Sequence, residues 1–262
     1  MSASRLIAVL FDVDGTLVDS ERDGHRVAFN QAFEACGLPW RWSVERYGEL
    51  LAVTGGRERL MHDMTTRSDA PTMLVEREEL ARLVHRNKNA LYADVVAAGA
   101  IPLRPGVREL MEDCRERGVR LAIATTTSRS NVEALLRAQL GASWARWFDF
   151  SVCGEDVAAK KPHPEVYQQA LRRLQLGPLD TLAIEDSPGG VAAARAADVP
   201  VVVTRSVYFA ASTIDAAAAI GPGLDQREGW RPEPAPCAGR QRITLDDLCD
   251  WHQRMELVSQ FA

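Results

Sequence analysis

The chain has 262 residues, a formal net charge of -5 and five cysteines. That length buries a substantial apolar interior without covalent staples, and the mild acidity, with Lys and Arg dispersed, argues against general binding of nucleic acid or acidic membranes. Cys36, Cys114, Cys153, Cys237 and Cys249 are odd in number and form no CxxC pair, which argues against a disulfide framework or a zinc site and reads as reduced intracellular thiols.

An apolar run, Leu6–Phe11, predicts the first strand, with Asp12-Val13-Asp14-Gly15-Thr16 at its carboxyl end. Asp12 and Asp14 are two apart, so on extended backbone they share a face while Val13 points the other way. Gly15 lets the chain leave the strand sharply and lets backbone approach an anion. Only five residues precede the strand, leaving no room for a cleavable leader, and no stretch approaches the ~18 apolar residues of a membrane span. The expectation is a soluble, cytoplasmic protein, acting as a monomer on a small molecule, without membrane or nucleic-acid partners.

From residue 20 to residue 100 the apolar positions fall at helical spacing: His25–Cys36, Glu45–Leu51, Glu58–Met64 and Glu76–Ala97. The return is marked by Gly99-Ala100-Ile101-Pro102-Leu103-Arg104-Pro105-Gly106, which stops one helix and precedes another. Thereafter helices alternate with short apolar strands: Val119–Ala124, Phe148–Val152, Leu182–Ile184 and Val199–Val203. Such alternation implies right-handed crossovers and a parallel sheet. The expected fold class is therefore α/β, a Rossmann-like three-layer core with an inserted all-helical cap. Its core comprises residues 1–19 and 101–262, its cap residues 20–100, and the two chain crossings form a hinge pair. Gly221–Gly239 reads as a loop, with a last helix around Leu245–Met255, and the tail from 205 carries no assigned chemistry.

Three further strings follow predicted strands or precede a helix: Thr125-Thr126-Thr127-Ser128, Lys161-Pro162 and Glu185-Asp186-Ser187. Strand carboxyl ends are where open α/β sheets bind ligands. A carboxylate that attacks a phosphate meets repulsion of about 4 kcal/mol per unit pair at ~4 Å and an effective dielectric near 20. Cations must cancel it. Lys160 and Lys161 are the candidates, Lys161 favoured by the rigid Pro162 beside it, and the oxygen-rich set Asp12, Glu185 and Asp186 suits a hard ion such as Mg²⁺. Thr125 offers a hydroxyl, and the helix after it free amides, to a phosphoryl group. Each string also has a plainer reading: an Asp-Gly turn, strand-forming threonines, a Ser187 helix cap before Pro188.

Joined in this order, the strings resemble the four motifs of the haloacid dehalogenase-like phosphatases. The resemblance implies a five-stranded parallel core with the first strand central, Asp12 as nucleophile, Asp14 as general acid and base, and Thr125 and Lys161 as catalytic partners. It also implies Mg²⁺ held by Asp12, the backbone carbonyl of Asp14, and Asp186, with Glu185 nearby. A narrower resemblance, through Glu21–Arg26, Val53–Arg59, Ile123–Ser128 and Ala183–Ser187, is to the CbbY-type sugar-bisphosphate phosphatases. That branch acts on xylulose-1,5-bisphosphate, an inhibitor of the carbon-fixing carboxylase, which implies metabolite repair beside the Calvin cycle. Arg57 departs from the lysine frequent there.

A helix starting after Gly55-Gly56 would point free amides at an anion, with Arg57 and Arg59 adding charge, as a second phosphate requires; a glycine turn with solvated arginines is the alternative. Glu21, Tyr47, Lys88, Thr126 and Arg129 are substrate-binding candidates on the resemblance. His25 is a further substrate-binding candidate; without an HxxxH partner it is no metal ligand, and it reads either as a packing histidine or as a catalytic one that orients the hinge. The rival activities are a β-phosphoglucomutase-like phosphomutase, a broad-specificity sugar-phosphate or phosphoglycolate phosphatase, and a phospho-accepting signalling module.

Overall fold

The computed structural model describes residues 6–53, 56–237 and 239–260, the side chains of 256–260 excepted. Contacts divide the chain into two compact units, Met1–Asp19 with Pro102–Ala262, and Ser20–Ile101. No helix among the described residues is long and apolar enough to cross a membrane, and no disulfide links the cysteines.

The larger unit is built on a parallel sheet of six strands among the described residues: β1 (Ala8–Phe11), β2 (Arg120–Ala124), β3 (Ser151–Val152), β4 (Thr181–Glu185), β5 (Val201–Thr204) and β6 (Ala219–Gly221), in the order β3-β2-β1-β4-β5-β6. Strand β1 is fully buried and central, with Leu10 opposite Ala122 on one side and Ala183 on the other. A strand covered on both faces needs an unbroken apolar sequence, and AVLF supplies it. Helices α5 (Val107–Glu116), α6 (Arg129–Leu140), α7 (Glu165–Leu174) and α8 (Pro188–Ala196) alternate with these strands. On α7 the residues Val166, Tyr167, Ala170, Leu171 and Leu174 form the buried stripe that a 3.6-residue period predicts.

The sheet corrects the expectation of five strands. Strand β6 lies in the tail read as having no strand, pairs in parallel with β5, and takes Ala219 opposite Val202. Three residues, Ala-Ile-Gly, carry too little β-branched sequence to be read alone. The stretch after it also returns to the sheet: Ile220 and Arg231 exchange backbone hydrogen bonds of 2.9 Å. Trp230 stacks on Trp251 of α9 (Leu245–Gln260), ring centroids 4.8 Å apart, both buried. Arg242 grips Asp113 of α5 through two bonds of 2.7 and 2.8 Å. The tail is thus built into the core.

The smaller unit holds α1 (Arg26–Ala35), α2 (Val44–Leu50), α3 (Gly56–Thr66) and α4 (Leu74–Ala97), preceded by a π-helical turn, Ser20–His25, that the sequence pattern did not announce. Its centre is aromatic: Phe29, Phe33, Trp40, Trp42 and Tyr47 are buried against one another. Buried Asp63 of α3 accepts from the Trp42 indole at 2.8 Å and from Arg46 at 2.6 Å, so its charge is paired.

Candidate active site

Strand register brings the motifs together. Phe11 lies opposite Ile123 of β2 and Ile184 of β4, so Asp12 is level with Ala124 and Glu185. The Asp12 amide donates to the Ile184 carbonyl at 3.1 Å and the Thr125 amide to Val152 at 3.0 Å, extending each ladder by one residue at its carboxyl end. Asp12 and Val13 are buried and Asp14 is half-buried. At Gly15, φ is +89°, and a Cβ there would collide with the Asp186 carboxylate. Only glycine tolerates both the turn and that approach.

Lys161 ties the ends together. Its Nζ donates to Asp12 Oδ1 at 2.6 Å, to Glu185 Oε1 at 2.6 Å and to the Ala124 carbonyl at 2.8 Å, which uses all three ammonium protons. The lysine and Asp12 side chains are each 9 % exposed. Lys160, by contrast, is exposed. Tyr167 adds a bond of 2.5 Å from its hydroxyl to Glu185 Oε1, and its ring lies 5.2 Å from the ammonium. Asp186 follows Glu185 directly, and Ser187 caps α8 by accepting from the Gly190 amide at 3.1 Å. A Cβ on Gly190 would strike the Glu185 carboxyl, so the first turn of α8 closes over that carboxylate.

The electrostatics are unbalanced. Carboxylate oxygens of Asp12, Glu185 and Asp186 lie within 4.8 Å of one another, all buried, and among the described residues Lys161 is the cation in contact, with Asp12 and Glu185. Burial, with Glu185 and Asp14 adding to it and Lys161 opposing, pushes the Asp12 carboxyl up to about 7. Asp186 is raised well above the usual range by burial and by its two acidic neighbours. Burial alone would lower Lys161, but Asp12 and Glu185 overcome it and hold it above the ordinary lysine value. Three oxygen donors with surplus negative charge and no soft ligand are the donor chemistry of Mg²⁺, so the residues present fit that ion.

Of the remaining candidates in this unit, Thr125 is buried, its Oγ1 accepting from the Thr127 amide at 3.3 Å, and Thr126 is half-buried. Ser128 caps α6. Arg129 donates to Asp156 at 2.5 Å and to Ser151 at 3.0 Å, so its guanidinium is already engaged within the core.

In the helical unit, the structure gathers residues that are far apart in sequence. Tyr47 donates to Glu21 at 2.5 Å, and Arg59 donates to the Tyr47 hydroxyl at 3.0 Å and lies 3.7 Å from Glu21. The buried Lys88 ammonium lies over the rings of Phe29 and Tyr92, at 5.3 and 5.0 Å. His25 stacks on Tyr92 at 4.0 Å; burial pushes it down to about 4, with Lys88 and Arg59 in the same direction and Glu21 opposing. Gly56 opens α3 against His85, a residue that carried no motif. Arg57 is exposed and paired with Glu58 at 3.2 Å, and Gly55 lies outside the described residues.

Sequence reasoning missed Tyr167 and Arg104. Tyr167 falls on the apolar stripe of α7, where only the fold reveals what its hydroxyl meets. Arg104 lies inside a Pro/Gly string whose pattern signals only a helix break, yet its guanidinium donates to the carbonyls of Gly15, Thr204 and Arg205.

Comparisons with known proteins agree with this geometry. Residues 8–198 match the family model described as haloacid dehalogenase-like hydrolase. The chain is 42% identical over 245 residues to a plasmid-encoded CbbY protein of Cupriavidus necator, covering 94% of this chain and 96% of that protein. It is 44% identical over 212 residues to CbbY of Rhodobacter capsulatus, covering 81% and 91%. Among solved structures, a variant of CbbY from Rhodobacter sphaeroides in complex with xylulose-(1,5)bisphosphate superposes with a TM-score of 0.69 at 38% identity, covering 83% of this chain and 94% of that one.

Proposed function

The chain belongs to the haloacid dehalogenase-like hydrolases, and we propose that it is a sugar-bisphosphate phosphatase converting xylulose-1,5-bisphosphate to xylulose 5-phosphate and inorganic phosphate. The observation that carries this reading is the Lys161 bridge between Asp12 and Glu185 beside Asp186, at the carboxyl ends of β1 and β4. The likeness to a CbbY structure that holds this bisphosphate supports the choice of substrate.

Asp12 is the nucleophile: its carboxylate oxygen bonds to phosphorus as the bond from phosphorus to the sugar oxygen breaks. Asp14 gives a proton to the departing sugar oxygen, then takes one from the water that cleaves the aspartyl phosphate, so it ends as it began. Lys161 fixes the Asp12 carboxylate and cancels charge as the dianion arrives. Thr125 offers its hydroxyl to a phosphoryl oxygen. Asp12, Asp186 and the Asp14 carbonyl, with Glu185 nearby, would hold Mg²⁺, which when bound supplies further neutralisation of the phosphoryl group.

The second phosphate needs cations of its own. Arg59 and Lys88 outnumber Glu21 in the cluster of the helical unit, while His25 stays neutral, so that cluster suits an anion. Tyr47 and the start of α3 at Gly56 add donors. The reading is tested by Mg²⁺-dependent phosphate release from xylulose-1,5-bisphosphate, ribulose-1,5-bisphosphate, phosphoglycolate and hexose phosphates. Preference for the first supports it; comparable rates on all would replace it with a broad-specificity enzyme, and isomer formation without net phosphate with a mutase.

A further inference from the structure

The side chain of Arg104 is 10 % exposed, and its guanidinium gathers backbone from separate parts of the larger unit. Nη1 donates to the carbonyls of Gly15 and, at 3.0 Å, Thr204; Nη2 donates to the Arg205 carbonyl at 2.7 Å; Nε lies 3.8 Å from Asp19 Oδ1. Its own amide donates to the Leu17 carbonyl at 2.8 Å, next to an antiparallel bridge between Val18 and Leu103. The residue therefore joins the turn after β1 to the end of β5 and to the returning segment that carries it.

We propose that Arg104 is a positioning residue of the active centre, a clamp that fixes the turn bearing Asp12 and Asp14 and so presents the Asp14 carbonyl to the metal. The inference rests on the phosphatase reading for its metal. The Gly15 amide donates to the Val18 carbonyl at 2.7 Å. Because the peptide is planar and trans, that bond also sets the direction of the Asp14 carbonyl, which points the opposite way. The next peptide is held by Arg104 through the Gly15 carbonyl. Both planes flanking the left-handed Gly15 are thus held, the first by the Gly15–Val18 bond and the second by Arg104 at its carbonyl together with the Thr16 amide, which donates to the Val13 carbonyl at 3.3 Å. Without Arg104 the second plane keeps only the longer Thr16–Val13 bond, and the two planes meet at a glycine, the residue least able to hold a conformation alone.

Two features make the identity of the residue matter. Three donated contacts and an ion pair need the planar fork of a guanidinium; a lysine ammonium would reach one or two of these carbonyls. Lys161 contacts the side chains of Asp12 and Glu185, whereas Arg104 holds the backbone of Gly15, Thr204 and Arg205 and lies 3.8 Å from Asp19. The two cations therefore do different work, one on carboxylates and one on backbone.

The test uses the full chain with Arg104→Lys and Arg104→Met. Mg²⁺ binding is measured by calorimetry without substrate, turnover by phosphate release, and folding by circular dichroism and melting. Outer partners of metal ligands typically change affinity by about 10- to 100-fold, and that weakening is expected in both variants. A misplaced reacting group lowers kcat by about 100-fold while KM, set elsewhere, moves little. Arg104→Lys, which keeps the charge and loses the fork, should not restore either quantity. Wild-type metal affinity and kcat in Arg104→Lys would overturn the proposal, as would an Arg104→Met protein that is merely less stable with unchanged metal affinity. Should Arg104→Met fail to fold, Arg104→Lys alone decides. Failure of the phosphatase reading would show separately, as a wild-type protein that releases no phosphate, with the calorimetric comparison still readable.

Discussion

Replacing Lys161 by Met removes the cation that contacts Asp12 and Glu185, two of three buried carboxylates whose oxygens lie within 4.8 Å. Each lost attraction is worth about 4 kcal/mol at ~4 Å and an effective dielectric near 20. Asp12, already pushed up to about 7 by burial, relieves part of this by taking up a proton, so the net loss follows the range for breaking a buried ion pair, about 3–5 kcal/mol. At roughly 2–4 °C per kcal/mol for a chain of this size, the metal-free variant should melt about 6–20 °C below the wild type. Saturating Mg²⁺ should return part of the loss, about 2.7 kcal/mol at ~100 times its Kd. Adding Glu185→Gln should also recover stability rather than subtract more, because it removes a surplus anion; a double-mutant cycle measures that sign. Calorimetric melting of the four proteins, with and without Mg²⁺, is the assay. A Lys161→Met protein that melts within ~2 °C of the wild type without metal would refute the reasoning, since the charge imbalance would then carry no free energy.

Tyr167→Phe keeps the ring beside Lys161 and deletes the bond to Glu185, so urea unfolding should show a loss of about 1.5–3 kcal/mol; no change would assign the hydroxyl no role. Arg59→Ala should raise KM for the bisphosphate about 10- to 100-fold, equal to one charged hydrogen bond of ~1.5–3 kcal/mol, and leave that for p-nitrophenyl phosphate unchanged. Equal shifts on both substrates would remove Arg59 from the second anion site. His25 is depressed from 6.5 to about 4 among Glu21, Lys88, Arg59 and His85. The unfolded chain therefore takes up its proton first as pH falls, and the stability His25 contributes is full above pH 6.5 and lost down to about pH 4. His25→Gln should flatten the fall in stability across that window, and an unchanged slope would contradict the assignment.

The sequence exposes most of the larger unit because buried parallel strands need unbroken apolar runs and the chemistry follows them directly: Phe11 then Asp12, Ala124 then Thr125, Ile184 then Glu185. The choice of Lys161 over Lys160 was legible through Pro162, and the structure leaves Lys160 in solvent. What was not legible depends on tertiary contact. Strand β6 gains its place from pairing with β5 and from Trp230 packing at Gly221. Tyr167 has the period of a core residue, and Arg104 acts through carbonyls, which carry no side-chain signal. Arg129 fitted the resemblance, yet it is taken by Asp156, a partner no local pattern names.

The central claim is that phosphorus passes through Asp12. An Asp14→Asn protein given Mg²⁺ and p-nitrophenyl phosphate, whose leaving group needs no proton, should form the acyl phosphate and hydrolyse it slowly. Acid-quench mass spectrometry should then find the phosphoryl group on the peptide that holds Asp12, and none when Asp12→Asn is added. A phosphoryl group elsewhere, or undiminished phosphate release by Asp12→Asn alone, would contradict the account.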